Sequence, residues 1–247
     1  MGCWMLETCL AAALNGSKNS LVPAFSRLAV LILILVTSCS PQEMRRSALV
    51  PSLAVEKARK YDLVDVRRVA PDVAVDLRYG SRQNVAGRAL YPASMPCLLR
   101  RVTAEKLRKA QAILAAQGYG IRVWDAYRPP EVHLILLHHG GGTGMFQQIS
   151  GGWSRHCAGV SVDATMVDRH GRELRMPTYF DEDFQQAGHR YEGGDPEIAR
   201  NLATFQRAMH QAGFVGVTTE WWHFDDPDFS GEGQRVIYAS ELGIPVL

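Results

Sequence analysis

Hydrophobic and polar positions alternate with two different periods along this chain. Val73, Val75, Leu77 and Tyr79 alternate with Ala74, Asp76 and Arg78, the two-residue period of a strand with one buried face. From Thr103 to about Gln117 the period changes to that of a helix, with Leu107, Ala110 and Leu114 on one face. Thr103 is placed to cap this helix, Glu105 lies in its first turn and Gly118 can end it. Ile121–Asp125 reads as a short strand running into Tyr127-Arg128-Pro129-Pro130, where the prolines bar a central strand. Gly159 to Met166 reads as another strand, followed by a loop of about thirty residues ending near Gly194. A second helix opens at Asp195-Pro196, with Pro at its first position. Ile198, Leu202, Phe205 and Met209 share its apolar face, and Gly213 stops it. A last strand is expected from about Val215 to Phe224. Strands separated by runs of helix and loop, without regular βαβ units, predict an α+β domain.

Composition narrows the class. The 247 residues suffice for one sizeable core and fall short of two. Hydrophobic content of 47% and charged content of 21% are ordinary for a globular protein. A formal net charge of +2, with no basic stripe, argues against a nucleic-acid partner. Gly140 to Gly144 is mostly glycine but lacks the Gly-Lys-Ser/Thr ending of a phosphate loop.

The N-terminus differs from the rest. Leu28 to Val36 is nine apolar residues without a charge, preceded by Lys18 and Arg27. That is the length of a signal-peptide apolar region and too short to cross a bilayer as a helix. Val36-Thr37-Ser38-Cys39 resembles the lipobox of bacterial lipoproteins, in which the cysteine carries the lipid. The stretch before Arg27 is long for the charged n-region of a signal peptide, which points to a true start downstream of Met1. Ser40 to Ser52, with Pro41 and Pro51, reads as a tether. Of five cysteines, Cys97 and Cys157 would remain after export, where a disulfide between them is one option.

Two segments carry the chemistry. Ser154 to Asp163 contains His156 and Asp163, seven apart with Gly159 between them. A turn at Gly159 would leave one of them on a loop and the other on a strand, both facing one point. Glu220-Trp221-Trp222-His223 supplies the partners. On a regular strand Glu220 and His223 would face opposite sides, so the segment must bulge or turn, or only one of them reaches the site. Two histidines and a carboxylate, with a second carboxylate as base, make a catalytic zinc site with a position open for water. In that reading His156, Asp163 and His223 hold one Zn²⁺, Glu220 moves protons and Arg128 binds the oxyanion. Asp125 and Tyr127 are expected to hold the Arg128 loop, while Trp221 and Trp222 read as core and wall. Cys157, beside His156, is not expected as a fourth ligand, because a closed four-ligand site would leave water no room.

The pattern Ser154-x-His156-x-x-Gly159-x-Ser161-x-Asp163 with Glu220-Trp221-Trp222-His223 resembles the zinc D,D-peptidases of the M15 peptidase family. Asp76-Leu77-Arg78-Tyr79, Gly118-Tyr119-Gly120 and Trp124-Asp125-x-Tyr127-Arg128-Pro129 bring it nearest to that family's D-alanyl-D-alanine dipeptidases of the VanX type. The resemblance spans roughly residues 72–225. It implies one domain with a small, mostly antiparallel sheet and flanking helices, the hedgehog/D,D-peptidase-like fold. It implies the same zinc ligands, base and arginine. It also implies that Asp181 binds a substrate ammonium, with Tyr79 and Ser154 nearby, so that a small dipeptide is the partner. Ser161 stands where the family usually has Ala, and Arg155 and Cys157 flank His156 where small polar residues are common. The expected organisation is an export signal over residues 1–39, a tether and lead-in over 40–70 and a catalytic domain over 71–247. Lipidated Cys39 would anchor the enzyme on the periplasmic side of the cell envelope, a soluble periplasmic form being the alternative. The competing activities are a D,D-carboxypeptidase acting on peptidoglycan stem peptides and a non-catalytic envelope binding protein.

Overall fold

The computed structural model describes residues 52–140, 142–229 and 235–247. Helix α1 (Leu53–Ala58) opens the described chain, its first turn closed by Ser52 Oγ accepting from the Val55 amide. Strand β1 (Leu63–Asp65) and helix α2 (Val66–Val69) follow. Val55, Ala58, Leu63 and Val66 are buried in the same core as the later elements. Residues 53–70, expected as lead-in, are thus packed secondary structure.

Next come β2 (Ala74–Val75), β3 (Leu98–Arg100), helix α3 (Arg101–Ala115) and β4 (Tyr119–Asp125). The alternating stretch expected as a strand over Val73 to Tyr79 pairs only at Ala74–Val75 and then tightens into a single 3-10 turn at Arg78–Gly80. That turn buries Tyr79 completely. Thr103 does not cap α3, which starts two residues earlier without a side-chain cap. Its hydroxyl donates instead to buried Asp226, 2.7 Å away and far along the chain. Leu107, Ala110 and Leu114 are fully buried, as their spacing requires.

Helix α4 (Pro130–Gly140) occupies a stretch where no helix was expected. Pro129 and Pro130 end one element and begin another, because proline's fixed φ suits the first helical position. Strand β5 (Ser161–Asp168) is buried along nearly all its length. Helix α5 (Pro196–Ala212) has Asp195 as its N-cap, accepting from the amides of Glu197 and Ile198, and Gly213 in the left-handed region at its end. The single strand expected over Val215 to Phe224 is two: β6 (Val215–Gly216) and β7 (His223–Asp225), with a turn between. Helix α6 (Ala239–Leu242) closes the chain.

β1 and β3 form an antiparallel ribbon. The main sheet has the order β2-β4-β5-β7-β6, with β2–β4 parallel and the other neighbours antiparallel. The fold is mixed α and β with small sheets and several helices. Helices α3 and α5 pack on each other and on this sheet. Register decides what meets on it. Asp163 of β5 lies opposite Asp125 of β4, after an irregularity in that pairing, and opposite His223 of β7. Directly paired residues of neighbouring strands project to the same face, so three polar side chains form one row across the sheet.

Candidate active site

His156 reaches this row from a short 3-10 turn, Arg155–Ala158, that ends at Gly159. Gly159 has φ of +70°, and a Cβ there would stand 2.5 Å from Leu63 Cδ2. Only glycine satisfies both the conformation and the space. The turn brings His156 Nε2 to 3.2 Å from Asp163 Oδ1, while His223 Nδ1 approaches the same oxygen at 2.9 Å. The two ring nitrogens are 3.2 Å apart.

The outer ring nitrogens fix the tautomers. His156 Nδ1 lies 2.6 Å from the Ala126 carbonyl, which can only accept, so Nδ1 carries the proton and Nε2 a lone pair. His223 Nε2 donates to Asp225 Oδ1 at 3.0 Å, which turns a lone pair on Nδ1 inward. Two lone pairs and a carboxylate oxygen therefore face one another at close range. That arrangement repels itself unless positive charge lies among the three atoms. His156, Asp163 and His223 are the described residues whose ligand atoms could hold a metal ion together, and the donor set fits a divalent cation that binds nitrogen and oxygen.

Glu220 enters from the turn before β7. The break in the expected strand lets both residues of the Glu-x-x-His segment reach one site, Glu220 from the turn and His223 from the strand. Glu220 Oε2 lies 3.8 Å from His223 Nδ1. Burial, only partly offset by His223, raises its pKa.

Arg128 is nearly enclosed, at 5% exposed. Its Nε donates to Asp125 Oδ2 at 2.7 Å and its Nη2 to Asp163 Oδ2 at 3.1 Å, and its guanidinium lies 4.9 Å from the Tyr79 ring centre. Asp125 also accepts from Tyr91 at 2.7 Å, so it is held on two sides. Tyr127 does not touch Arg128 in the same way; its hydroxyl donates to the Ile237 carbonyl at 2.7 Å and ties the loop to the C-terminal segment. Asp181 accepts from Tyr79 at 2.9 Å and has φ of +56°. Burial pushes its carboxyl up to about 8, against the pull of Arg128.

One cavity of about 190 Å³ brings these groups together. His156, Asp163, His223, Glu220, Arg128 and Asp181 all line it, as do Tyr79 and Ser154. Cys39 lies outside the described residues. Cys97 and Cys157 are both buried free thiols, and no disulfide joins them. Burial pushes the Cys157 thiol up to about 12, and it has no place in the donor cluster. Asp225, which orients His223, was missed by sequence reasoning. The signal was available: two residues along a strand return to the same face.

A donor set able to hold a cation, with a second carboxylate beside it in one cavity, is the equipment of a metal-dependent hydrolase. A model of the M15 peptidase family, described as D-ala-D-ala dipeptidase, matches residues 59–139 and 147–240, and the chain belongs to that family. It is 33% identical over 167 residues to the D-alanyl-D-alanine dipeptidase of Escherichia coli (strain K12), covering 67% of this chain and 85% of that protein. The D-alanyl-D-alanine dipeptidase of Enterococcus faecium is 30% identical over 145 residues, 50% of this chain and 72% of that one. That of Enterococcus faecalis is 27% identical over 174 residues, 62% and 86% respectively.

Proposed function

We propose that this protein is a zinc-dependent dipeptidase that hydrolyses D-alanyl-D-alanine to two molecules of D-alanine. The observation that carries the substrate assignment is Asp181, a carboxyl hydrogen-bonded to Tyr79 in the wall of a cavity of about 190 Å³. That volume is below the roughly 300–1,000 Å³ of drug-sized sites. A free ammonium pairs with the carboxylate. An amide nitrogen at the same place, as in any longer peptide, brings no charge and leaves the acid unpaired.

His156, Asp163 and His223 would hold the zinc, whose Lewis acidity acidifies water and polarises the scissile carbonyl. Glu220 takes the proton from the attacking water and passes it to the leaving amine. Its raised pKa suits a group that must both accept and donate. Arg128, held by Asp125 and Asp163, meets the carbonyl oxygen as that oxygen becomes anionic. Because its acceptors fix it beforehand, little reorganisation is needed during the reaction. Ser154 completes the substrate wall.

The leader-like segment over residues 1–39 supports export, with lipid attachment at Cys39 and work on the periplasmic side of a bacterial envelope. The role would be turnover of cell-wall dipeptide, and the architecture that of the zinc D,D-peptidase (hedgehog-like) fold. The test is D-alanine release from D-Ala-D-Ala by zinc-loaded protein lacking residues 1–39, with Glu220→Ala and N-acetyl-D-Ala-D-Ala as comparisons. Release that needs Glu220 and stops on acetylation is the expected result. Cleavage of the capped substrate would move the protein to the D,D-carboxypeptidases and sink the role of Asp181. No cleavage of either by folded, metal-loaded protein would leave a non-catalytic binding protein.

A further inference from the structure

A dipeptide is a zwitterion, and the groups described so far account for one of its two charges. Asp181 serves the ammonium; nothing yet serves the carboxylate. A chain of contacts leads across the site to a second charge. Asp181 accepts from Tyr79 at 2.9 Å, and Tyr79 lies beneath Arg128. Arg128 donates to Asp163 at 3.1 Å, and Asp163 meets His223 at 2.9 Å. His223 donates to Asp225 at 3.0 Å, and Asp225 stands 3.3 Å from Arg155 Nε. The sequence of groups therefore starts on an acid, crosses the metal-binding triad and ends on a guanidinium. Both ends line the same cavity.

Arg155 is prepared for an anion. Its Nη2 donates to the carbonyls of Asp226 and Phe229, the latter at 2.8 Å. Carbonyl acceptors hold the fork in place and leave its charge uncompensated. Asp225 compensates it only in part, because that carboxylate also accepts from Ser161 and from His223. Among the described residues, Nη1 takes part in none of these contacts, which leaves a donor edge for a ligand. Arg128, the other arginine lining the cavity, is engaged by two carboxylates, Asp125 and Asp163. Nη1 carries two N–H groups of its own, so a ligand carboxylate can take a charge-assisted hydrogen bond there without displacing the carbonyls that hold Nη2.

We propose that Arg155 binds the C-terminal carboxylate of the dipeptide and makes the enzyme selective for a free carboxyl end. The proposal rests on the dipeptidase reading above, and it gives the site one charge for each end of its substrate.

The test compares D-alanyl-D-alanine with D-alanyl-D-alaninamide, which differs only in that carboxyl group. Zinc-loaded wild type, Arg155→Gln and Arg155→Lys are measured for D-alanine release, with zinc content and thermal unfolding as checks. Wild type should favour the acid on the order of 10- to 100-fold in kcat/KM, the worth of a charge-assisted hydrogen bond, chiefly through KM. In Arg155→Gln the preference should shrink to within about threefold of unity, whereas loss of fold or metal would depress both substrates equally. Arg155→Lys, which keeps the charge and loses the carbonyl contacts that position it, should give an intermediate ratio. If Arg155→Gln does not fold, the lysine variant and the wild-type ratio decide. Equal wild-type rates on acid and amide, or an unchanged ratio in either folded variant, would overturn the role of Arg155 while leaving the dipeptidase reading intact. No cleavage of either substrate by wild type would overturn that reading and this proposal with it.

Discussion

Replacing Asp181 with Asn should make the protein more stable and much less active. The free protein keeps a carboxyl in a place that disfavours its charge: burial raises its pKa from 3.8 to about 8. For an acid, a folded pKa above the unfolded one means that the native state binds the extra proton. The stability conferred by the protonated acid is complete below about pH 4 and is lost as pH rises toward about 8. At pH 7 the difference is about three pKa units, or roughly 4 kcal/mol. Asp181 is only partly buried by surface area and lines the open cavity, and a bound cation favours ionisation, so about 2 kcal/mol is the working figure. Asn is nearly isosteric and can still accept from Tyr79, so little else changes. In a domain of this size that is a gain of about 4–8 °C in Tm. The assay is thermal unfolding of the zinc-loaded wild type and Asp181→Asn across pH 4 to 9. The gap should be small near pH 4, widen as pH rises and level off above pH 8. On D-alanyl-D-alanine the same variant should lose about 100-fold in kcat/KM, the usual cost of removing one partner of a buried charge pair. An Asn variant less stable than wild type at pH 8, or a gap that ignores pH, would refute the reasoning.

Further outcomes follow from the same geometry. Asp125→Asn removes the anion behind Arg128 but keeps an acceptor for Tyr91; kcat should fall on the order of 10- to 100-fold with KM and zinc content little changed. Loss of zinc in that variant would instead place the effect on His156, whose Nδ1 lies 3.7 Å from the same carboxylate. Gly159→Ala forces a side chain into a left-handed conformation and against Leu63, and should cost about 2–4 kcal/mol in denaturant unfolding and weaken zinc binding. Chelation should abolish activity and lower Tm, because a cation held only by the native state at 100 to 1,000 times its Kd stabilises by about 3–4 kcal/mol. An unchanged Tm after complete zinc removal would show that His156, Asp163 and His223 do not bind the metal.

Much of this protein is local and could be read in order along the chain. The apolar faces of α3 and α5, the Asp195 cap and the Gly213 stop follow from spacing and backbone preference within a few residues. The residues that would carry the chemistry are also legible, because a histidine or carboxylate keeps its chemistry wherever it is placed. Tertiary structure decided where those residues meet. The alternating period over Val73 to Tyr79 fits a strand, yet only two residues find a partner, since pairing needs a neighbour that the local pattern does not contain. Thr103 has the chemistry of a cap, but a buried Asp226 more than a hundred residues away claims its hydroxyl. Glu220 and His223 could not be given to one site from their spacing. The turn between β6 and β7, with Asp163 in register opposite His223, supplies what the spacing lacked. Arg155 beside Asp225 and Cys157 apart from the donor cluster were likewise settled in three dimensions. Periodicity and capping act over one or two turns of chain. Register and burial depend on distant segments that must satisfy one another's hydrogen bonds at the same time, and these put the acid, the triad and the arginines around one cavity.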